Sequence, residues 1–371
     1  MKNPPSENSV SRRDFLGMLT AGSAMLAGGL GLTSQADTLG KNHGRKLGVA
    51  LLGLGGYATS QLRPALLQTK LCRLAGVVSG NPAVAAQWSR ELDLPARNVY
   101  NYDNFDRIAD NPDIDIVYVV TPPALHAEYV IRAAKAGKHV ISEKPLATNV
   151  ADCDAMISAC RDARVKFSVG YRMHFDPYCL EMARLARTRE LGVFSKMTGT
   201  VGWKLEKQMW RIEKKLSGGG PMMDVGIYVV QGACTAQNEA VPIAVTAHEK
   251  PKARPALFTE VEESMNWTME FPNGAVLNAF ASYDSGASQF RAEGPDGWID
   301  FPKNAFGYSD IHMKTSRGPF PVTQQTRQMD DFADCILTGR DTPVPGEMGR
   351  RDIRILMAIY EAARTGKRVL V

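Results

Sequence analysis

The 371-residue sequence lacks the spacings that most hydrolytic and metal-dependent enzymes need. Its six histidines are scattered without an H-E-x-x-H pair, and there is no G-x-S-x-G elbow and no phosphate-loop lysine. Serine hydrolysis and a resident metal therefore lose their support. The six cysteines form no C-x-x-C and no zinc-ligand spacing, and they read as buried free thiols. Charge of one sign is scarce as well. The net charge is only +5, and basic runs such as Lys214-Lys215 and Arg350-Arg351 stop at two residues, which leaves no footprint for a nucleic acid. What is present, 44% hydrophobic and 22% charged residues, excludes a disordered chain, and the length favours two domains over one.

One segment belongs to no fold. Ser11-Arg12-Arg13-Asp14-Phe15-Leu16 leads into an uncharged stretch from Phe15 to Ala36 that carries five glycines and ends in Ser34-Gln35-Ala36. Weak hydrophobicity, a twin arginine and a small-x-Ala ending describe a twin-arginine export signal over residues 1–36 rather than a membrane anchor. The partner is then the twin-arginine export machinery, and the destination is the periplasm, reached after folding. Nothing beyond residue 36 is apolar for long enough to span a bilayer.

From Leu47 onward apolar runs alternate with helical segments. Leu47–Leu52, Leu74–Val78, Ile114–Val120 and Lys138–Ser142 read as strands buried on both faces, which predicts a doubly wound parallel sheet over residues 37–165. Past residue 165 strand-like runs follow one another, and Asn273-Gly274 marks a hairpin. Residues 166–371 are therefore expected to form an α+β substrate domain with a largely antiparallel open sheet. Amphipathic helices over 177–189, 326–337 and 349–364 cover it, the last able to pack back on the first domain.

The candidate chemistry lies where these elements end. Gly53-Leu54-Gly55-Gly56-Tyr57-Ala58 fits G-x-G-x-x-A between the first strand and its helix, the context of a dinucleotide-binding turn. The second strand ends in Ser79-Gly80-Asn81 rather than in a carboxylate, so nothing there repels a 2′-phosphate and NADP is favoured over NAD. Glu143-Lys144-Pro145 closes the fourth strand at the edge where such sheets bind ligands. Asp224 and Tyr228, four apart beyond the Gly218-Gly219-Gly220 triplet, share one face of any helix that starts there. A tyrosine needs a nearby cation to serve as a base near neutral pH, and Lys144 is the candidate.

These motifs, with Thr121-Pro122-Pro123-x-x-His126 and Gly170-Tyr171-Arg172, resemble the Gfo/Idh/MocA oxidoreductase family. The resemblance runs from about residue 46 to 370. Ser79-Gly80-Asn81, Trp210-Arg211 and a tyrosine, not a histidine, at position 228 are similar to the glucose–fructose and aldose–aldose oxidoreductase subgroup. It implies that Lys144 and Tyr228 handle the sugar hydroxyl proton and that Asp224 orients the sugar. It also implies that Thr121, Pro122, His126, Glu143, Arg172, Trp210, Arg211 and Tyr308 join the glycine turn in the cofactor cleft. Val84 stands where the glucose–fructose enzyme has a basic residue, and residues 37–46 are shorter than its N-terminal arm. A homodimer is the expected assembly. An exported enzyme has no external nucleotide pool, so the expected cycle is ping-pong on a tightly bound NADP. One aldose gives a hydride from C1 and leaves as the lactone, and a second aldose or ketose leaves as an alditol. A nicotinamide-dependent glycoside hydrolase and an inactive sugar-binding protein remain as alternatives.

Overall fold

The computed structural model describes residues 45–308, 311–316 and 325–371. Residues 1–36, expected to be an export signal, lie outside the described residues. Six strands, β1 (Leu47–Leu52), β2 (Cys72–Val78), β3 (Val99–Tyr100), β4 (Ile116–Val119), β5 (His139–Ser142) and β6 (Phe167–Val169), pair in parallel in the order β3-β2-β1-β4-β5-β6. The order reverses on either side of β1, which opens a crevice beyond the carboxyl ends of β1 and β4.

Both faces of this sheet are covered, which is why β1 reads as an unbroken apolar run. Leu47, Val49 and Leu51 pack on one side with Leu62 and Leu66, and Ala50 and Leu52 pack on the other with Val130 and Ala133. Each fully buried leucine or valine contributes about 1.5–3 kcal/mol. Part of the first cover comes from far along the chain. Met329, Phe332 and Ala333 of the helix Gln325–Thr338 join the cluster around β1. Asp330 accepts the backbone N–H groups of Lys70 (3.0 Å) and Leu71 (2.9 Å).

Eight strands make the second sheet: β7 (Lys196–Gly202), β8 (Ala244–Glu249), β9 (Ser264–Glu270), β10 (Val276–Ser282), β11 (Ser288–Gly294), β12 (Gly297–Phe301), β13 (Lys314–Thr315) and β14 (Val369–Leu370). Their order is β13-β12-β11-β7-β10-β9-β8-β14. All pairs are antiparallel except the central β7–β10 pair, so the sheet is mixed but largely antiparallel. The Asn273-Gly274 turn joins β9 to β10, with Gly274 at φ +82° and Asn273 Oδ1 accepting the Ala275 N–H. One face alternates Met197, Met265, Trp267, Leu277 and Phe290 toward the core, while Lys196, Thr198, Asn266 and Asn278 point to solvent. The helix Ile227–Ala236 has all ten residues buried. No described helix is long and apolar enough to cross a membrane. All six cysteines are free and buried, as their spacing suggests.

Candidate active site

The turn after β1 is shaped by Gly53, whose φ of +97° suits only glycine. A Cβ at Gly53 would stand 2.9 Å from the Val120 carbonyl, so the turn packs directly on the end of β4. At Gly55 and Gly56 a Cβ would meet nothing within 4 Å. Those two glycines face a cleft of about 1120 Å³ lined by Gly53–Ala58, Ser79–Asn81, Thr121, Pro122, Glu143, Lys144, Trp210, Arg211, Asp224, Tyr228 and Tyr308. The volume and the uncovered backbone fit a dinucleotide. Across the rim, Gly80 lets the Tyr102 ring close in, since a Cβ there would lie 2.7 Å from it. Asn81 Oδ1 caps the helix Pro82–Glu91 by accepting Ala83 N–H (3.0 Å) and Val84 N–H (3.3 Å), and Ser79 Oγ accepts Asn81 N–H.

The reactive end of the cleft is built by Glu262. Its carboxylate accepts the N–H groups of Gly220 and Met222, each at 3.0 Å, and the Tyr360 hydroxyl at 3.0 Å. The glycine triplet thus brings backbone against Tyr360 and Glu262 rather than against a ligand. A wide, π-type turn (Met222–Gly226) then feeds the helix Ile227–Ala236 and presents Asp224 and Tyr228 to the cleft. Lys144, which precedes a cis proline, donates to the Asp224 backbone carbonyl (2.6 Å) and stands 3.7 Å from its Oδ1. Asp224 Oδ2 also accepts Tyr283 Oη (2.9 Å), Arg211 Nε (3.2 Å) and Trp203 Nε1 (3.4 Å). Burial works against its charge. Arg211 and Lys144, helped by the Tyr283 and Trp203 bonds, outweigh burial and hold the carboxyl below its ordinary range.

Tyr228 is 6% exposed and stacks on Phe306, with centroids 6.0 Å apart and planes 9° apart. Lys144 Nζ lies over its ring, 4.4 Å from the centroid. Burial pushes the phenol up, and the largest opposing influence is Arg172, not the Lys144 that the sequence suggests. Glu143 is also buried and pushed up; its Oε1 accepts Tyr118 Oη at 2.7 Å, and Gln328 donates to the same hydroxyl at 2.9 Å.

Two expected cofactor residues do not line the cleft. His126 is fully buried, with Nε2 2.8 Å from the Thr121 carbonyl and Nδ1 3.1 Å from that of Leu146. Burial pushes its pKa down, and the ring fills the space between the turn after β4 and the chain after Pro145, donating to one of the two carbonyls when neutral. Arg172 is 1% exposed and sits behind Tyr228 and Tyr308. The other predicted residues converge on the cleft, and Tyr102, Trp203, Met209, Asn304 and Phe306 join them. No motif flags these five; only the pairing of the two sheets' loops brings them there.

A doubly wound sheet with a glycine turn at its switch point defines a nucleotide-dependent class, and the comparisons narrow it. The chain belongs to the Gfo/Idh/MocA oxidoreductase family. The family model for an oxidoreductase family with an NAD-binding Rossmann fold matches residues 47–171, and the Gfo/Idh/MocA C-terminal domain matches residues 179–300. An aldose–aldose oxidoreductase structure from Caulobacter crescentus, complexed with glycerol, is 40% identical with a TM-score of 0.85, covering 88% of this chain and 100% of that one. The D-xylose 1-dehydrogenase [NADP(+)] of Haloarcula marismortui is 27% identical over 330 residues, 85% of this chain and 91% of that protein. A levoglucosan dehydrogenase complexed with NADH and levoglucosan shares the fold at 23% identity and a TM-score of 0.74, covering 88% of this chain and all of that one.

Proposed function

We propose that the protein is a periplasmic sugar oxidoreductase that keeps NADP bound through a ping-pong cycle. An aldose is oxidised at C1 to its aldonolactone, and a second aldose or ketose is then reduced to an alditol at the same site. The observation that carries this reading is the convergence of Lys144, Asp224 and Tyr228 at one end of the glycine-turn cleft. Similarity to the aldose–aldose oxidoreductase supports the sugar substrates, and the NADP(+) named for the xylose dehydrogenase supports the cofactor. The lack of a carboxylate after β2 points the same way.

Gly53–Tyr57 would hold the diphosphate, Ser79–Asn81 and Tyr102 the adenosine end, and Thr121, Pro122 and Glu143 the nicotinamide end. A bound nicotinamide would supply the two-electron acceptor of one half-cycle and the donor of the other. The chain's own part is proton management. Tyr228 Oη takes the C1 hydroxyl proton from the first sugar and returns it to the carbonyl oxygen of the second. Lys144 Nζ donates to the same sugar oxygen, and Asp224, fixed by four partners, orients the neighbouring hydroxyls. Retained cofactor suits an enzyme exported without a nucleotide supply.

The test is to mix dialysed protein with a panel of aldoses and ketoses, with no nucleotide added, and to identify the products. Paired lactone and alditol are expected. A colourless protein that turns over only with added nucleotide refutes the retained cofactor. Release of reducing sugar from glycosides would instead favour the glycoside hydrolase alternative.

A further inference from the structure

The sequence places Arg172 among the cofactor's contacts, yet the structure withdraws it from the cleft. It follows β6 in a short turn of 3-10 type, Arg172–Phe175, with its guanidinium wholly buried. Nη1 donates to the Gly307 carbonyl at 2.7 Å and Nη2 to the Phe306 carbonyl at 2.6 Å. Its Cζ lies 4.3 Å from the Tyr308 ring centroid and 5.2 Å from that of Tyr228, and it hydrogen-bonds the Tyr228 side chain. The Phe306 it fastens is the ring stacked on Tyr228. One side chain therefore holds Tyr228 directly, by charge, and indirectly, through its stacking partner.

We propose that Arg172 is a positioning residue for Tyr228, setting the balance between its phenol and phenolate forms, rather than a cofactor ligand. The proposal rests on the reading of Tyr228 as the acid/base. Among the described residues, the charged and titratable groups facing Tyr228 are Asp224 on its own segment, Glu143 and Lys144 after β5, Arg172 after β6, Tyr57 in the glycine turn and Tyr308 beyond β12. Glu143 and Asp224 oppose the phenolate, and burial opposes it most. Lys144 is shared with Asp224, to whose carbonyl it donates. Arg172 is the cation that both contacts the Tyr228 ring and fastens the chain at Phe306 and Gly307. Removing its charge while keeping a donor should shift Tyr228 toward the protonated form, which leaves less phenolate to take a proton and makes the phenol a weaker acid when it gives one.

The experiment places 3,5-difluorotyrosine, whose phenol ionises at lower pH than tyrosine's, at position 228 and follows its ¹⁹F resonance with pH. It is done in the wild-type background, in Arg172→Gln and in Arg172→Lys. In Arg172→Gln the phenolate-to-phenol ratio at fixed pH should fall at least about tenfold, one pH unit of titration. Arg172→Lys should stay within about half a unit. In unlabelled protein, Arg172→Gln should slow both half-cycles and displace the pH profile of the sugar-oxidising one upward by about one unit. An unmoved resonance, a lysine variant displaced as far as the glutamine one, or an unmoved pH profile of the sugar-oxidising half-cycle overturns the proposal. Should Arg172→Gln not fold, Arg172→Lys still decides, because a displacement beyond about half a unit contradicts it. Unchanged sugar turnover in Tyr228→Phe would remove the acid/base reading and leave the titration result standing.

Discussion

Alanine at Gly53 and at Gly55 should fail in different ways, although the two positions are one residue apart in the same turn. At Gly53 the backbone has φ +97°, and a Cβ would stand 2.9 Å from the Val120 carbonyl oxygen and 3.1 Å from Thr121 N. Neither side can give way easily. Gly53 N–H is bonded to Val78 O at 3.0 Å, and Val120 N–H to Leu52 O at 2.7 Å. Forcing alanine into that conformation costs about 1–3 kcal/mol before any clash is counted. At about 2–4 °C per kcal/mol for a chain of this order, Tm should fall by roughly 2–12 °C. At Gly55 the same methyl meets nothing within 4 Å. Stability should then change by no more than about 0.5 kcal/mol. That open space is the cleft, however, so Gly55→Ala should weaken nucleotide binding at least about tenfold, a loss of about 1.4 kcal/mol. The assay is calorimetric Tm on protein refolded without nucleotide, followed by equilibrium binding of NADP. An unchanged Tm for Gly53→Ala, or normal NADP affinity for Gly55→Ala, refutes the assignment of strain to one glycine and ligand approach to the other.

Three further outcomes can be checked. Asp224→Asn leaves Arg211 and Lys144 without their shared carboxylate, so sugar turnover should fall at least about a hundredfold while nucleotide stays bound; retained turnover would remove Asp224 from the site. His139 accepts Lys166 N–H at 2.9 Å through Nδ1, and burial pushes its pKa down to about 4. The unfolded chain takes up this proton first, near pH ~6.5. Stability from this group is therefore whole above pH ~6.5 and lost as pH falls toward about 4, up to about 3 kcal/mol in all. Urea midpoints measured across that window should show a shallower acid slope in His139→Gln, and an identical slope would exclude His139 as a source. Burial pushes the thiols of Cys72, Cys153, Cys160 and Cys234 to about 12 and that of Cys335 to about 11. Iodoacetamide near pH ~8 should label none of these in the native protein and all of them after denaturation, and rapid native labelling would contradict the buried placement.

Much of the architecture could be read from the residues because its signals are local. β1 is apolar on both faces, Asn273-Gly274 supplies the φ > 0 that its turn requires, and Gly53 marks a conformation open to few other residues. The helix Ile227–Ala236 left no periodic trace, since a helix buried all round has no polar face to contrast with its apolar one. β8 was hidden for a related reason, its Thr246, His248 and Glu249 giving a polar outer edge rather than an apolar run. Within the site, Lys144 was legible because Pro145 follows it at the end of β5, and Asp224 and Tyr228 because they follow the Gly218-Gly219-Gly220 triplet. Tyr283 and Trp203, which hold Asp224, lie in ordinary strand-end sequence. Arg172 is the opposite case: its place after Gly170-Tyr171 stands out in the sequence, but the carbonyls of residues 306 and 307 decide which way its guanidinium faces.

The helix Gln325–Thr338 has a consequence for how the molecule is made. Met329 and Phe332 cover the flank of β1, and Gln328 steadies the Tyr118 hydroxyl that in turn bonds Glu143. A chain emerging from the ribosome can lay down β1 to β6 early, yet that flank stays only partly covered, by Leu62 and Leu66, until about residue 338 has been synthesised. The nucleotide cradle is thus completed from the far end of the polypeptide. A product truncated before that helix would carry all six strands of the first sheet and still expose the apolar surface that proteases and chaperones recognise.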